Sequence, residues 1–220
     1  MEQQRARLAG LLIVIGILWI VLMERLAEWS SVGYQASSTA ISGLGSSFFG
    51  SYACFLEKCN AIQQPASIIF LAGLLGLGVL LFAVVRLESS GITRSTMRLL
   101  YVCAFAMLLL CVSYMPVYLG SADTNFYLGV AMHLIGAVLL VGAGAVLALR
   151  ADVFVEPALR YISRVVGLLI VAAVPFYAYV FVNTPAWTLG AGTIERIGFG
   201  LLIGWFLGYG LYLMWTSVRS

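Results

Sequence analysis

The chain has 220 residues, of which 62% are hydrophobic and 10% charged, and its formal net charge is +3. A soluble domain carries about 25% charged residues, so this composition excludes a water-facing globular surface, and the length suits one compact bundle taken as a single domain over 1–220. The positive balance comes from arginines at the ends of apolar runs, which reads as membrane topology and excludes a nucleic-acid patch.

The first apolar run, Leu8–Ala27, has about the twenty residues needed to cross a bilayer. No small-residue cleavage site follows it cleanly, so it reads as a retained helix and not as a removed signal. Glu24, Arg25 and Glu28 close it. A long segment from Glu28 to Gln64 follows, rich in Ser, Gly and aromatics. It holds many hydroxyls, among them Ser37, Ser38, Thr39, Ser42, Ser46 and Ser47, and the pair Cys54 and Cys59. Hydroxyls in a Gly-rich loop serve first as turn and capping groups. If the segment faces an oxidising exterior, Cys54 and Cys59 are expected to form a disulfide. Structural zinc normally takes four Cys or His ligands, and no metal is expected here.

The second run is Pro65–Val85, whose Gly73, Gly76 and Gly78 read as packing glycines. Met97–Leu119 follows, with Cys103 and Cys111 as small core residues and Pro116 near its end. Phe126–Leu149 carries the single histidine, His133, among Gly129, Gly136, Ala137 and Gly144. Tyr161–Val182 has Pro175 mid-span, where the lost N–H tends to kink a helix; the first reading is a kink that only helps packing, and the second a freed carbonyl that lines a cavity. Ile194–Trp215 is opened by Glu195 and Arg196 and carries Gly200, Gly204 and Gly208 at fourfold spacing. Such a stripe lets a neighbouring backbone approach, so it is expected to mark the packed face of this helix. The expected fold is an all-α polytopic bundle of six transmembrane helices, with a long extracellular loop after helix one.

Six crossings sort the basic residues. Arg5, Arg7, Arg86, Arg94, Arg98, Arg150, Arg160, Arg164 and Arg219 fall on one side, and only Arg25, Lys58 and Arg196 on the other. Basic residues in short loops stay in the cytoplasm. A cell-membrane protein with both termini cytoplasmic is therefore expected, and His133, the Glu195–Arg196 pair and the Cys54–Cys59 segment belong to the outer side.

Ionisable groups at this depth are costly unless paired, and they mark candidate sites. Two readings stand side by side. In the first, Glu195 and Arg196 lock helix six to helix one through Glu24 or Glu28, and His133 bridges two helices by hydrogen bonds. In the second, they line a cavity open to the outer leaflet. Glu24, Arg25, Glu195 and Arg196 are then the candidate ligand-binding residues, with Arg196 suited to an anionic head group. His133 is the candidate acid or base, because its pKa lies near neutrality, and Tyr114 or Tyr118 would add to the wall. A hydroxyl of the long segment would be the nucleophile. One histidine excludes a bis-histidine haem carrier, and no phosphate loop, zincin motif or dinucleotide fingerprint appears. No cofactor is expected.

Three segments carry a resemblance. They are Ser31 to Ser47 (SVGYQASSTAISGLGSS), Met132 to Ala148 (MHLIGAVLLVGAGAVLA) and Gly192 to Met214 (GTIERIGFGLLIGWFLGYGLYLM). In order and spacing they resemble a family of prokaryotic, often archaeal, six-helix membrane proteins, the domain-of-unknown-function family nine-nine-eight. The motifs are the Ile41–Ser42–x–Leu44–Gly45 turn, His133 and the Glu195–Arg196 pair. The family pattern has Asp where this chain has Gly43, and often Asn where it has Thr39. The resemblance implies a fold and no activity. A looser likeness, to the androgen-induced-gene family of membrane threonine hydrolases, rests on Thr39 and His133 as the matching positions, which makes these two the candidate catalytic residues.

Two functions follow. One is a non-catalytic accessory or structural subunit of a larger membrane complex, suited by few charges, small loops and a clipped outer cap, with membrane lipids and other membrane subunits as partners. The alternative is a lipid-binding or lipid-hydrolysing protein with an outer-leaflet polar cavity. A transporter fits less well, since the two halves show no internal repeat and no paired broken helices.

Overall fold

The computed structural model of the chain describes residues 2–31, 54–55, 58–59, 65–87, 92–113, 122–183 and 191–219. Within them lie six helices: α1 (Glu2–Ser30), α2 (Ala66–Arg86), α3 (Arg94–Ser113), α4 (Ala122–Arg150), α5 (Pro157–Asn183) and α6 (Ala191–Arg219). All six contain a stretch long and apolar enough to cross a membrane. The protein is an all-α, multi-pass membrane bundle. The six expected runs match the six helices, and most helices extend past the apolar run at one end or both because polar residues beyond the hydrocarbon continue the backbone hydrogen bonding.

Local signals set several ends. The Thr93 hydroxyl accepts a hydrogen bond from the Thr96 backbone N–H at 3.2 Å, an N-cap for α3. Pro157 occupies the first position of α5, where its missing N–H costs nothing. α4 stops at Ala151, whose φ of 53° is left-handed. That conformation is normally left to glycine at a helix end; here Ala151 is fully buried, and the turn it makes sends the chain back under the bundle.

Each helix packs antiparallel on the next, and α6 returns to α1, so the helices form a closed ring. Glycines set the approach distances. A side chain at Gly10 would meet the Gly210 carbonyl at 2.5 Å, and one at Gly210 would meet the Gly10 carbonyl at 2.9 Å. Gly73 receives Ile20 and Met23 of α1, and Gly78 receives Leu108 of α3. At Gly76 the indole of Trp19 lies across α2, and its Nε1 donates to the Ala72 carbonyl at 3.0 Å. These three act as packing glycines, as their position within an apolar run suggests. Cys103 and Cys111 are buried free thiols.

The expectation for α6 is overturned. Gly200, Gly204 and Gly208 are exposed, and a side chain added at any of them would meet nothing within 4 Å. α6 instead buries Leu202, Ile203, Trp205, Phe206, Tyr209, Tyr212 and Leu213. The physical reason is that lipid does not drive large apolar side chains inward, so a small-residue stripe has a packing role only where a partner helix meets it.

The face that carries both chain ends is closed by the α4–α5 link. Phe154 inserts edge-on among Trp205, Tyr209 and Tyr212. The Val155 N–H donates to the Tyr212 hydroxyl at 2.9 Å, and Trp205 Nε1 donates to Ser163 Oγ, which donates in turn to the Ala148 carbonyl. Arg150 contacts Ser95 and pairs with Asp152 at 2.8 Å. At the opposite face, between α1 and α2, two short strands pair antiparallel: β1 (Cys54–Phe55) and β2 (Lys58–Cys59), with Cys54 directly opposite Cys59.

Candidate functional site

Two polar groupings occupy the half of the bundle away from the chain ends. The first joins α1 to α6. Arg196 Nη2 lies 2.6 Å from Glu28 Oε1, and Nε lies 3.6 Å from Glu24 Oε1. Nη1 donates to the Gly192 carbonyl at 3.1 Å. Arg25 pairs with the other Glu28 oxygen at 2.7 Å. Glu24 is buried, and the Arg196 side chain is only 15% exposed. The guanidinium fork, which suits carboxylates, thus spans two acids of the neighbouring helix. Glu24, Arg25 and Arg196 come together in the way a helix–helix lock requires, with Glu28 as its hub.

The second grouping is a cavity of about 690 Å³, within the size of pockets that hold small ligands. Five helices line it. Phe70 and Leu74 of α2 and Leu110 of α3 form the back wall. Ala137, Leu140 and Val141 of α4 face Ile170, Val174 and Tyr177 of α5, and Ile194, Gly198 and Phe199 of α6 complete the circuit. The inner end stops where Leu202 of α6 packs onto Gly144 of α4. Beyond that point the ring is filled; before it, the ring is wide enough to leave space.

The mouth lies between α4 and α5. Leu134 and Val138 on α4, and Val171 and Val174 on α5, line the cavity and are exposed at the bundle surface. Further along, the same two helices touch closely, since a side chain at Gly167 would meet the Leu149 backbone N at 2.9 Å. The two helices therefore close together toward the chain ends, away from the polar end of the cavity. Pro175 lies on its α5 edge. Proline there removes the donor for the Val171 carbonyl, so a backbone acceptor goes without its helical partner beside the cavity.

Polar side chains are few and sit at one end: His133, Tyr177 and Glu195. His133 comes about three turns into α4 and faces inward as its small neighbours imply. Its Nδ1 lies 3.5 Å from Ser113 Oγ, a long contact. The Ser113 hydroxyl already donates to the Leu110 carbonyl at 2.6 Å, so that proton is not directed at the imidazole. The Ser113–His133 contact joins α3 to α4, twenty residues apart, in keeping with the helix-bridging reading of His133, although the sequence did not single out Ser113 as the partner. Tyr177 was also missed; only its position one turn of α5 from the end of the apolar run hinted at a polar tip near the membrane surface. Thr39, Tyr114 and Tyr118 lie outside the described residues, as do the hydroxyls of Ser37 to Ser47 and Pro116. Among the described residues, no group of three or more His, Cys, Asp or Glu is placed to hold a metal ion.

These features define a class: a six-helix membrane protein whose helices close into a ring around an apolar cavity that opens sideways, with a buried ion-pair lock beside it. No protein-family model, no curated protein and no solved structure matches the chain.

Proposed function

We propose that the protein binds the hydrocarbon chain of a membrane lipid in the cavity between α4 and α5, with the lipid head at the His133–Tyr177–Glu195 end. The observation that carries this reading is the side opening. A slot lined by Leu134, Val138, Val171 and Val174 admits a ligand from the bilayer without passage through water. An apolar pocket with a small number of polar groups at one end is the usual form of such a site. The Glu24, Glu28 and Arg196 network is assigned to holding α1 against α6 and not to the ligand. Hydrolysis by Thr39 and His133 remains a branch of this reading, since a lipid ester in the slot would lie beside the imidazole.

Gly142 supplies the test. It lines the cavity, and a side chain there meets nothing within 4 Å. Gly142→Phe should fold normally and fill the slot. In native mass spectrometry from mild detergent, the wild type should carry a lipid adduct, and the variant should lose at least ten-fold of its occupancy with an unchanged melting temperature. An adduct kept at the wild-type level in the variant rejects the reading.

A second reading, an accessory subunit of a larger membrane assembly, is favoured by one observation. Among the described residues nothing lies within 4 Å of a side chain added at Gly200, Gly204 or Gly208, and such a face lets a helix of another subunit come close. Other chains copurifying in the same spectra would support it, and a lone chain would count against it. Membership of the domain-of-unknown-function family nine-nine-eight is likewise proposed, on the order of its three segments.

Orientation and the cysteine pair are proposed together. The nine arginines at the face bearing the chain ends argue that this face is cytoplasmic, which leaves Cys54 and Cys59 in an oxidising exterior in a cell membrane. Directly opposed residues of an antiparallel pair are within the spacing a disulfide needs. A membrane-impermeant maleimide applied to whole cells should label the chain only after an external reductant. Labelling without reductant removes the disulfide. No labelling in either condition removes the orientation, because Cys103 and Cys111 are buried and do not report.

A further inference from the structure

Resting on the lipid-binding reading, we infer that the cavity takes a hydrocarbon chain of medium length and that Leu202 is the stop that sets this length. The cavity changes character along its axis. Its mouth is lined by Leu134, Val138, Val171 and Val174, which are exposed at the bundle surface. Ala145, Ile170 and Leu202, at the end away from the polar side chains, are buried. On α6 the polar end comes first, at Glu195, and Leu202 follows seven residues later. Helical side chains lean toward the N-terminus of their helix, so the Leu202 side chain leans back into the path of an entering chain. Gly144 of α4 is its seat, since a Cβ there would overlap Leu202 Cδ1.

The helix rise converts this arrangement into a length. From Tyr177 to Ile170 on α5, and from Glu195 to Leu202 on α6, the wall covers about 10 Å. From His133 to Ala145 on α4 it covers about 18 Å. An extended hydrocarbon advances roughly 1.25 Å per carbon, because its bonds of about 1.5 Å zigzag. The space between the polar end and the stop therefore fits about eight to fourteen carbons. A chain of eighteen carbons needs about 22 Å. It must leave its last methylenes outside the buried end, where they lose the close contacts of a packed wall. The length depends on where His133, Tyr177 and Glu195 lie and not on what they bond. Shortening Leu202 lowers the stop, because an apolar space of this kind stays dry and accepts apolar ligands.

The test offers the purified full chain, in mild detergent, an equimolar mixture of monoacylglycerols with decanoyl, dodecanoyl and octadecanoyl chains. Native mass spectrometry reads the adducts. The wild type should carry the dodecanoyl form at least five-fold over the octadecanoyl form. Leu202→Ala should shrink that ratio at least three-fold. Gly142→Val adds a side chain where nothing lies within 4 Å, about one turn before Ala145. It leaves the core untouched, and it should raise the decanoyl-to-dodecanoyl ratio at least two-fold over the wild type. A dodecanoyl-to-octadecanoyl ratio below two in the wild type, or either variant keeping the wild-type ratios while folded, overturns the stop and leaves the cavity reading standing. Should Leu202→Ala fail to fold, Gly142→Val decides alone. Absence of any adduct in the wild type, or adducts that Gly142→Phe leaves intact, overturns both.

Discussion

Gly10→Val will open the ring between α1 and α6, with a loss of stability of about 3 kcal/mol or more. The added methyls have nowhere to go. A Cβ at Gly10 would stand 2.5 Å from the Gly210 carbonyl and 3.0 Å from the Met214 backbone N. Overpacking usually costs about 1–3 kcal/mol when side chains can yield. Here two of the three nearest atoms belong to the facing backbone, so the helices themselves must separate. The contact is reciprocal, since a Cβ at Gly210 meets the Gly10 carbonyl and Ile13. Close backbone approach of this kind also supports Cα–H···O contacts, which separation would remove. Thermal melting of the purified chain in mild detergent measures the effect. Gly204→Val is the control, because nothing lies within 4 Å of that position and surface changes usually stay within about 0.5 kcal/mol. A Gly10→Val protein that melts with the wild type would mean that the ring is not closed where the structure closes it.

Glycine spacing was the weakest guide in the sequence, for a reason these two positions make plain. Gly200, Gly204 and Gly208 form the visible stripe, and they face outward. Gly10 and Gly210 are the residues on which α1 and α6 meet, and neither belongs to a repeating pattern on its own helix that would single it out. In water a helix shows its buried face by where its large apolar residues lie, but in lipid both faces are apolar and that signal is lost. What survived was the hydropathy that marks the six spans, because the length needed to cross the hydrocarbon is a property of each helix alone. His133 was legible for a similar reason: a polar ring in an apolar run has to face inward. The cavity was not legible. Phe70, Leu74 and Leu202 look like any other core residues in composition, and whether apolar faces enclose space depends on how helices tilt against one another. The packing of Phe154 was not legible because the short link that carries it opens on a left-handed alanine, with no glycine to announce the turn. Glu24, Glu28 and Arg196 were legible as a set with two uses, and only their geometry separates a lock from a ligand site.

That lock carries the second large effect. Arg196→Met should cost about 3 kcal/mol, because breaking a buried ion pair strands a charge in surroundings that cannot solvate it. The two acids are not equally exposed to this loss. Glu28 keeps Arg25 at 2.7 Å, and Arg25 is itself 63% exposed, so Glu28 retains a partner at the membrane surface. Glu24 is 6% exposed and faces Arg196. Most of the penalty should therefore fall on Glu24. Adding Glu24→Gln to Arg196→Met should recover more than half of the lost stability, while Glu28→Gln in the same background should recover less. Replacing a whole buried ion pair by neutral groups is often close to neutral, which is why the double variant can approach the wild type. The cycle also separates the lock from the cavity, since Arg196 is not among the residues lining the slot and its removal should leave the lipid adduct intact in protein that remains folded. A loss of that adduct in folded Arg196→Met would return the guanidinium to the ligand site, and wild-type melting of Arg196→Met would remove the lock.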